Sequence, residues 1–236
     1  MLMLKTKPGD TENGRLPVEA VIFDLDGTLV NTTEIYFRVI DAVLERLGLP
    51  PVSREVILDA AKDGEFEWER MLPEEKRHDK ERLLPQMWAV RDELFPVMLR
   101  ERTTLIPGAD ELLKKIHERG TGIGLVTSTP RRNLEYKWIP LGEPGIKHFF
   151  SAIITADDVE KRKPSPEAFV ACAERLGVEA KRCAIVGDTR TDILAGKDAG
   201  MITIGVLTGF DTHEQLKAKC PDLIVDSVAD LLERFE

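Results

Sequence analysis

Two carboxylates, Asp24 and Asp26, stand one residue apart directly after the apolar run Val21-Ile22-Phe23. That run reads as a buried strand. In extended chain, residues i and i+2 point to the same side, so both acids can face one site while Leu25 turns into the core. Gly27 follows, where the backbone can turn sharply and bring N–H groups close to an anion. Thr28 completes the run Asp24-Leu25-Asp26-Gly27-Thr28. Acids at the carboxyl end of a buried strand lie where open α/β sheets bind ligands. Alone, Asp-x-Asp-Gly is equally a turn or a fragment of a calcium loop. The strand before it and the pieces downstream favour the functional reading.

Three more segment ends carry polar groups. Thr127 closes Ile123-Gly124-Leu125-Val126 and precedes Ser128. Its hydroxyl can donate to a phosphoryl oxygen, or cap the helix that follows Pro130. Lys163 lies in Lys161-Arg162-Lys163-Pro164-Ser165-Pro166, where two prolines stiffen the backbone. An ammonium fixed there can offset a carboxylate nucleophile and the phosphate that it attacks. Lys161 and Arg162 read as surface charges. Asp188 ends the apolar run that starts at Cys183, and Asp192 sits one turn into the next element. Asp192 can point back to the same place, or serve as an ordinary acid in a helix first turn. If these ends converge, Asp24, Asp26, Asp188 and Asp192 crowd one pocket. Close carboxylates cannot all stay ionised without compensation. A hard divalent cation supplies it, and Mg2+ suits a site that also holds phosphate oxygens.

The elements that must position these groups follow from the pattern. Strand and helix alternate from residue 105 to the end, so the sheet is expected to be mostly parallel with helices on both faces. Between residues 32 and 104 the pattern is helical with no convincing strand, and Pro85 and Pro96 are expected to bend or interrupt the last helical region. This block reads as a cap inserted after the first strand, and its two adjacent linkers make a hinge. The expected organisation is α/β, Rossmann-like: a core of residues 18–31 and 105–236, an all-helical cap of residues 32–104, and a loose polar arm of residues 1–17. A closing helix is expected near residues 227–234.

Composition bounds the function. The 236 residues carry 42% hydrophobic and 32% charged side chains, enough apolar material for a core in a soluble protein. A net charge of −9 argues against general nucleic-acid binding. Local lysines and a cation can still make a cleft attractive to an anionic substrate. Cys172, Cys183 and Cys220 show no metal-type spacing and fit a reducing compartment. The four histidines read as surface or cap residues. No apolar run reaches membrane-spanning length and no secretion signal stands at the start, so a cytoplasmic protein without membrane or nucleic-acid partners is expected, as monomer or homodimer.

Taken in order, Asp24-Leu25-Asp26-Gly27-Thr28, Thr127, Lys163-Pro164 and Gly187-Asp188-x-x-x-Asp192 resemble the four motifs of the haloacid dehalogenase superfamily. The helical insert after the first motif resembles the subgroup that includes phosphoglycolate phosphatase and β-phosphoglucomutase. The resemblance covers nearly everything from Val18 onward. It implies a nucleophilic Asp24 that forms an aspartyl-phosphate, and Asp26 as the acid and then the base. It implies Mg2+ held by Asp24, the backbone carbonyl of Asp26, and Asp188. Asp192 would act directly, through water, or by holding Lys163. Thr127 and Lys163 would bind the phosphoryl group, helped by backbone N–H groups near Leu25, Asp26 and Ser128. Thr189 replaces a common Ser, and Arg162 a usual Gly. Lys62, in Lys62-Asp63-Gly64, falls where such caps carry a substrate-reading loop and is a candidate for a second anionic group. Trp68 and Trp88 read as cap core. The expected activity is a Mg2+-dependent phosphatase acting on a small phosphorylated metabolite of phosphoglycolate type. A sugar phosphomutase is the alternative, and a non-catalytic binding protein on the same fold the second.

Overall fold

The computed structural model describes residues 2–5, 15–62, 65–142 and 145–236. In chain order, β1 (Leu2–Lys5) pairs antiparallel with β2 (Arg15–Val18), and β3 (Ala20–Phe23) follows. Next come α1 (Thr33–Arg46), α2 (Arg54–Ala60), a short hairpin of β4 (Ala61–Lys62) and β5 (Glu65–Phe66), and α3 (Lys80–Arg102). The rest alternates: α4 (Ala109–Glu118), β6 (Gly122–Val126), α5 (Arg131–Gly142), β7 (Ala152–Ile154), α6 (Glu167–Leu176), β8 (Cys183–Gly187), α7 (Arg190–Asp198), β9 (Ile202–Val206), α8 (His213–Lys217) and β10 (Leu223–Val225).

The main sheet runs β10-β9-β8-β3-β6-β7, with every neighbouring pair parallel. β3 is central because it is apolar on both sides. Val21 and Phe23 join one core with Leu112, Leu113 and Ile116 of α4, whereas Ala20 and Ile22 join the opposite core with Phe169 of α6 and Ile193 of α7. That two-residue alternation between two cores is what helices on both faces require. After β3 the sheet grows through β6 on one side and through β8 on the other, so the order reverses beside β3. Open α/β sheets place their binding crevice at such a point.

α1, α2 and α3 share a core of their own, built on residues such as Phe37, Val43, Ile57, Met71 and Met87. The two chain crossings into this block lie side by side. Asn31 N–H donates to Thr104 O at 2.9 Å, and Ile106 N–H donates to Leu29 O at 2.9 Å. The block is not wholly helical, because β4 and β5 pair antiparallel. Pro85 and Pro96 do not interrupt α3, which runs unbroken through both. Each proline removes only its own N–H from the ladder, and the flanking turns carry the helix on. Trp68 packs beside Phe66 and onto the cap core, but Trp88 is 42% exposed, because Met87 takes the core position next to it.

The loose arm expected at the start is corrected by the structure. Leu2 and Leu4 are fully buried in the sheet's core beside Phe235. Met3 exchanges two backbone hydrogen bonds with Glu236, at 3.0 and 2.9 Å, and Lys5 N–H donates to Arg234 O at 2.8 Å. Alternating Leu2 and Leu4, with Met3 and Lys5 less buried, is a strand pattern within a segment read as polar overall. Residues 6–14 of that arm lie outside the described residues. The expected closing helix is a 3-10 turn, Val228–Leu232. All four histidines are exposed, and the cysteines are free, with Cys172 and Cys183 buried.

Because Leu4 is core, Leu4→Ala should lower the unfolding free energy by about 2–5 kcal/mol, read from urea denaturation. A change within about 0.5 kcal/mol, as for surface substitutions, would contradict the packing.

Candidate active site

The segment ends converge. Register pairs Phe23 with Leu125 on one side and with Val186 on the other, which brings Asp24, Thr127 and Asp188 to one edge of the sheet. Asp24 N–H continues the ladder by donating to Val186 O at 2.8 Å. A cleft of about 400 Å3 opens over this edge. Asp24, Asp26, Ser128, Lys163, Asp188 and Asp192 all contribute to its lining.

Lys163 is the hub of the charges. Its Nζ donates to Asp24 Oδ1 at 2.5 Å, to Asp192 Oδ1 at 2.6 Å and to Val126 O at 3.2 Å. It also lies 5.4 Å from the Phe169 ring centroid. Burial works against the ammonium, but Asp192 and Asp24 outweigh it and hold the Lys163 pKa above the ordinary value. Asp192 makes contacts on two sides. Its Oδ2 accepts Thr189 N–H at 3.1 Å and the Thr189 hydroxyl at 2.5 Å, closing a capping box at the start of α7. Its Oδ1 holds Lys163.

Asp188 is seated by one hydroxyl and one backbone N–H. Its Oδ1 accepts the Thr28 hydroxyl at 3.3 Å, and its Oδ2 accepts Phe210 N–H at 3.0 Å. Two glycines make room for it. A Cβ on Gly27, which has φ +74°, would stand 2.7 Å from Asp188 Oδ2, and one on Gly209 would stand 1.7 Å away. Carboxylate oxygens of Asp24, Asp188 and Asp192 lie within 4.8 Å of one another. Burial, opposed by Lys163 and reinforced by Asp192 and Asp26, pushes Asp24 up to about 7. Burial together with Asp24 and Asp192 lifts Asp188 well above the carboxylate range. Three buried acids thus share one ammonium, which leaves an excess of negative charge. Close oxygen donors with that excess fit a hard divalent cation.

Asp26 belongs to a different arrangement. Its Oδ1 accepts the Thr32 hydroxyl at 2.7 Å, and its Oδ2 accepts the Thr129 hydroxyl at 2.9 Å and Lys137 Nζ at 2.7 Å. Burial raises its pKa, but Lys137 and these hydrogen bonds outweigh burial and bring it below the usual value. The Asp26 carboxylate is not part of the three-acid group. Thr127 is 3% exposed and does not line the cleft; its hydroxyl oxygen accepts Thr129 N–H at 3.0 Å. Ser128 does line it. The Lys62 side chain, and Asp63 and Gly64 beside it, lie outside the described residues.

Sequence reasoning missed Lys137, Thr129 and the wall formed by Tyr36, Phe66 and Phe210. Lys137 carried a signal. It falls beside Leu134, Trp138 and Leu141, the buried stripe of α5, where a lysine has to find an acid. Arg162 lines the cleft while remaining exposed, and among the described residues its guanidinium makes no ion pair.

Residues 18–200 match the family model for haloacid dehalogenase-like hydrolases. The chain is similar to phosphoglycolate phosphatase of Salmonella paratyphi A, with 31% identity over 240 residues and 91% of each chain covered. Among solved structures it resembles a HAD family hydrolase from Deinococcus radiodurans with bound phosphate and sodium. The TM-score there is 0.77 and the identity 26%, over 91% of this chain and 93% of the other. It also resembles CbbY from Rhodobacter sphaeroides in complex with phosphate, with TM-score 0.68 and 25% identity, over 91% and 96% of the two chains. Agreement over this much of the sequence, in family model and relative alike, makes the chain a member of the haloacid dehalogenase-like hydrolase family.

Proposed function

We propose that the chain is a Mg2+-dependent phosphatase that hydrolyses a small phosphomonoester of phosphoglycolate type through an aspartyl-phosphate on Asp24. The observation that carries this reading is Lys163, which bridges Asp24 and Asp192 at 2.5 and 2.6 Å in a cleft with an excess of carboxylate. Lys163 is the only side-chain hydrogen-bond partner of Asp24 among the described residues, so the other oxygen of Asp24 is uncommitted. A carboxylate nucleophile held by one fixed ammonium, in a cleft that a divalent cation also fits, suits attack on a phosphorus centre.

The steps follow from these residues. One Asp24 oxygen bonds to phosphorus as the bond to the leaving oxygen breaks, and Asp26, which must enter this step protonated although its contacts in the open cleft favour the carboxylate, gives that oxygen a proton. A water then attacks the same phosphorus, Asp26 takes its proton, and the Asp24–phosphorus bond breaks to free inorganic phosphate. Lys163 offsets charge on nucleophile and phosphoryl group throughout, and Ser128, in the cleft just past β6, supports the phosphoryl oxygens, with Thr127 behind it holding Thr129 N–H. Asp24, Asp188 and Asp192 would hold the cation, with the backbone carbonyl of Asp26 as the family resemblance implies. When bound, it neutralises the carboxylates and the phosphoryl oxygens.

The intact set of acids and lysine weighs against a non-catalytic binding role. Phosphatase is preferred over phosphomutase because the curated relative at 31% identity is a phosphoglycolate phosphatase. Arg162, without an ion-pair partner among the described residues, is a cation available for a second anionic group on the substrate.

Three outcomes test this. Turnover of p-nitrophenyl phosphate should require Mg2+, vanish with chelator, be abolished in Asp24→Asn and fall strongly in Asp26→Asn, measured as released nitrophenol. Gly209→Ala should raise the Mg2+ concentration needed for half-maximal activity by about tenfold or more, the size of effect seen when a metal ligand's support is altered. Arg162→Ala should lower the ratio of kcat/KM for phosphoglycolate to that for p-nitrophenyl phosphate by about tenfold, in line with loss of a charge-assisted hydrogen bond. An unchanged ratio would remove Arg162 from substrate reading.

A further inference from the structure

We propose that Lys137 is a positioning residue for Asp26, its ammonium aiming the carboxylate for proton transfer at the leaving oxygen. The inference rests on the phosphatase reading above, in which Asp26 carries that proton. Its own basis is a closed set of contacts on the core side of Asp26.

Lys137 lies on α5, and its side chain is 3% exposed. A buried ammonium is tolerated only when paired. Its partner, Asp26, is an acid of the cleft that lies outside the three-carboxylate group. Nζ stands 2.7 Å from Asp26 Oδ2 and 2.6 Å from Oδ1, and it donates to Thr129 Oγ1 at 2.8 Å. Thr129 in turn donates to Asp26 Oδ2 at 2.9 Å. Of the three donors of an ammonium, two bond to Asp26 Oδ2 and Thr129 Oγ1, and Asp26 Oδ1 stands in ion-pair contact beside them. Lysine, threonine and carboxylate therefore form a triangle.

The triangle fixes a torsion that is otherwise soft. The last rotation of an aspartate side chain has a broad, roughly two-fold profile. With Oδ2 bound to both Thr129 and Lys137, the carboxylate plane is set from the core. Oδ1 accepts the Thr32 hydroxyl at 2.7 Å and stands in ion-pair contact with Lys137 Nζ at 2.6 Å. Both oxygens of Asp26 are thus held, on a residue that lines the cleft. Proton transfer is sensitive to such placement, and α5 contributes it from outside the recognised motifs.

The test separates positioning from mere support of the fold. The departure of an alkoxide needs a proton, whereas p-nitrophenolate leaves readily without one. With Mg2+ and the full chain, Lys137→Met should lower kcat/KM for ethyl phosphate by about 100-fold, the low end of general acid–base contributions. The loss for p-nitrophenyl phosphate should stay under about tenfold, and competitive inhibition by inorganic phosphate should change little. Lys137→Arg should restore part of the ethyl phosphate rate. If Lys137→Met does not fold, Thr129→Val removes another corner of the triangle and should give the same selective loss. Equal losses on the two substrates, or no loss on ethyl phosphate, would overturn the role of Lys137. Absence of Mg2+-dependent turnover by the unaltered enzyme would overturn the phosphatase reading and this inference with it.

Discussion

Compensation of buried negative charge governs this molecule. Asp24, Asp188 and Asp192 gather within 4.8 Å where the sheet order reverses, and among the described residues Lys163 is the one ammonium that bonds directly to two of them. Taking carboxylates out of water is costly unless cations accompany them. Everything nearby serves that requirement: the hydrogen bonds from Thr28 and Phe210 to Asp188, the capping box that orients Asp192, and the glycines that leave space for the Asp188 oxygens. The remaining excess of negative charge gives the site its appetite for a cation.

Asp26 solves the same problem separately. Its compensation comes from Lys137 on α5 and from Thr32 at the foot of α1. The acid is thereby joined both to the core and to one of the two linkers that lead into the helical block. Those linkers are hydrogen-bonded to each other, so movement of the block and the setting of Asp26 share residues. Tyr36, one turn into α1, packs edge-on against Phe210, whose N–H holds Asp188. The helical block therefore touches the supports of both acidic arrangements.

Much of this was legible because the informative residues are consecutive or bounded by strong patterns. The strand before Asp24, the alternation after residue 105 and the proline-flanked Lys163 each announce themselves locally. Asp192 was ambiguous between cap and charge partner because its two oxygens do both jobs. Lys137 and Thr129 were not found because their meaning depends on α5 meeting the β3 loop, a contact between residues more than a hundred positions apart. The strand at Leu2–Lys5 was hidden by its polar surroundings: two leucines in four residues are too short a signal until Phe235 supplies the surface they cover. Trp88 shows the converse, since hydrophobicity alone did not tell which of two neighbours, Met87 or Trp88, would face inward.

The pairing of Leu2–Lys5 with Arg234–Glu236 also has a bearing on biosynthesis. β1 has one neighbour, β2, made soon after it, and another in residues made more than two hundred positions later. Until they appear, Leu2 and Leu4 lack the cover that Phe235 provides. Long-range closure of this kind is slow and leaves apolar surface open to other chains. The nascent polypeptide thus completes one edge of its core only after translation has passed residue 235, however early the parallel sheet assembles.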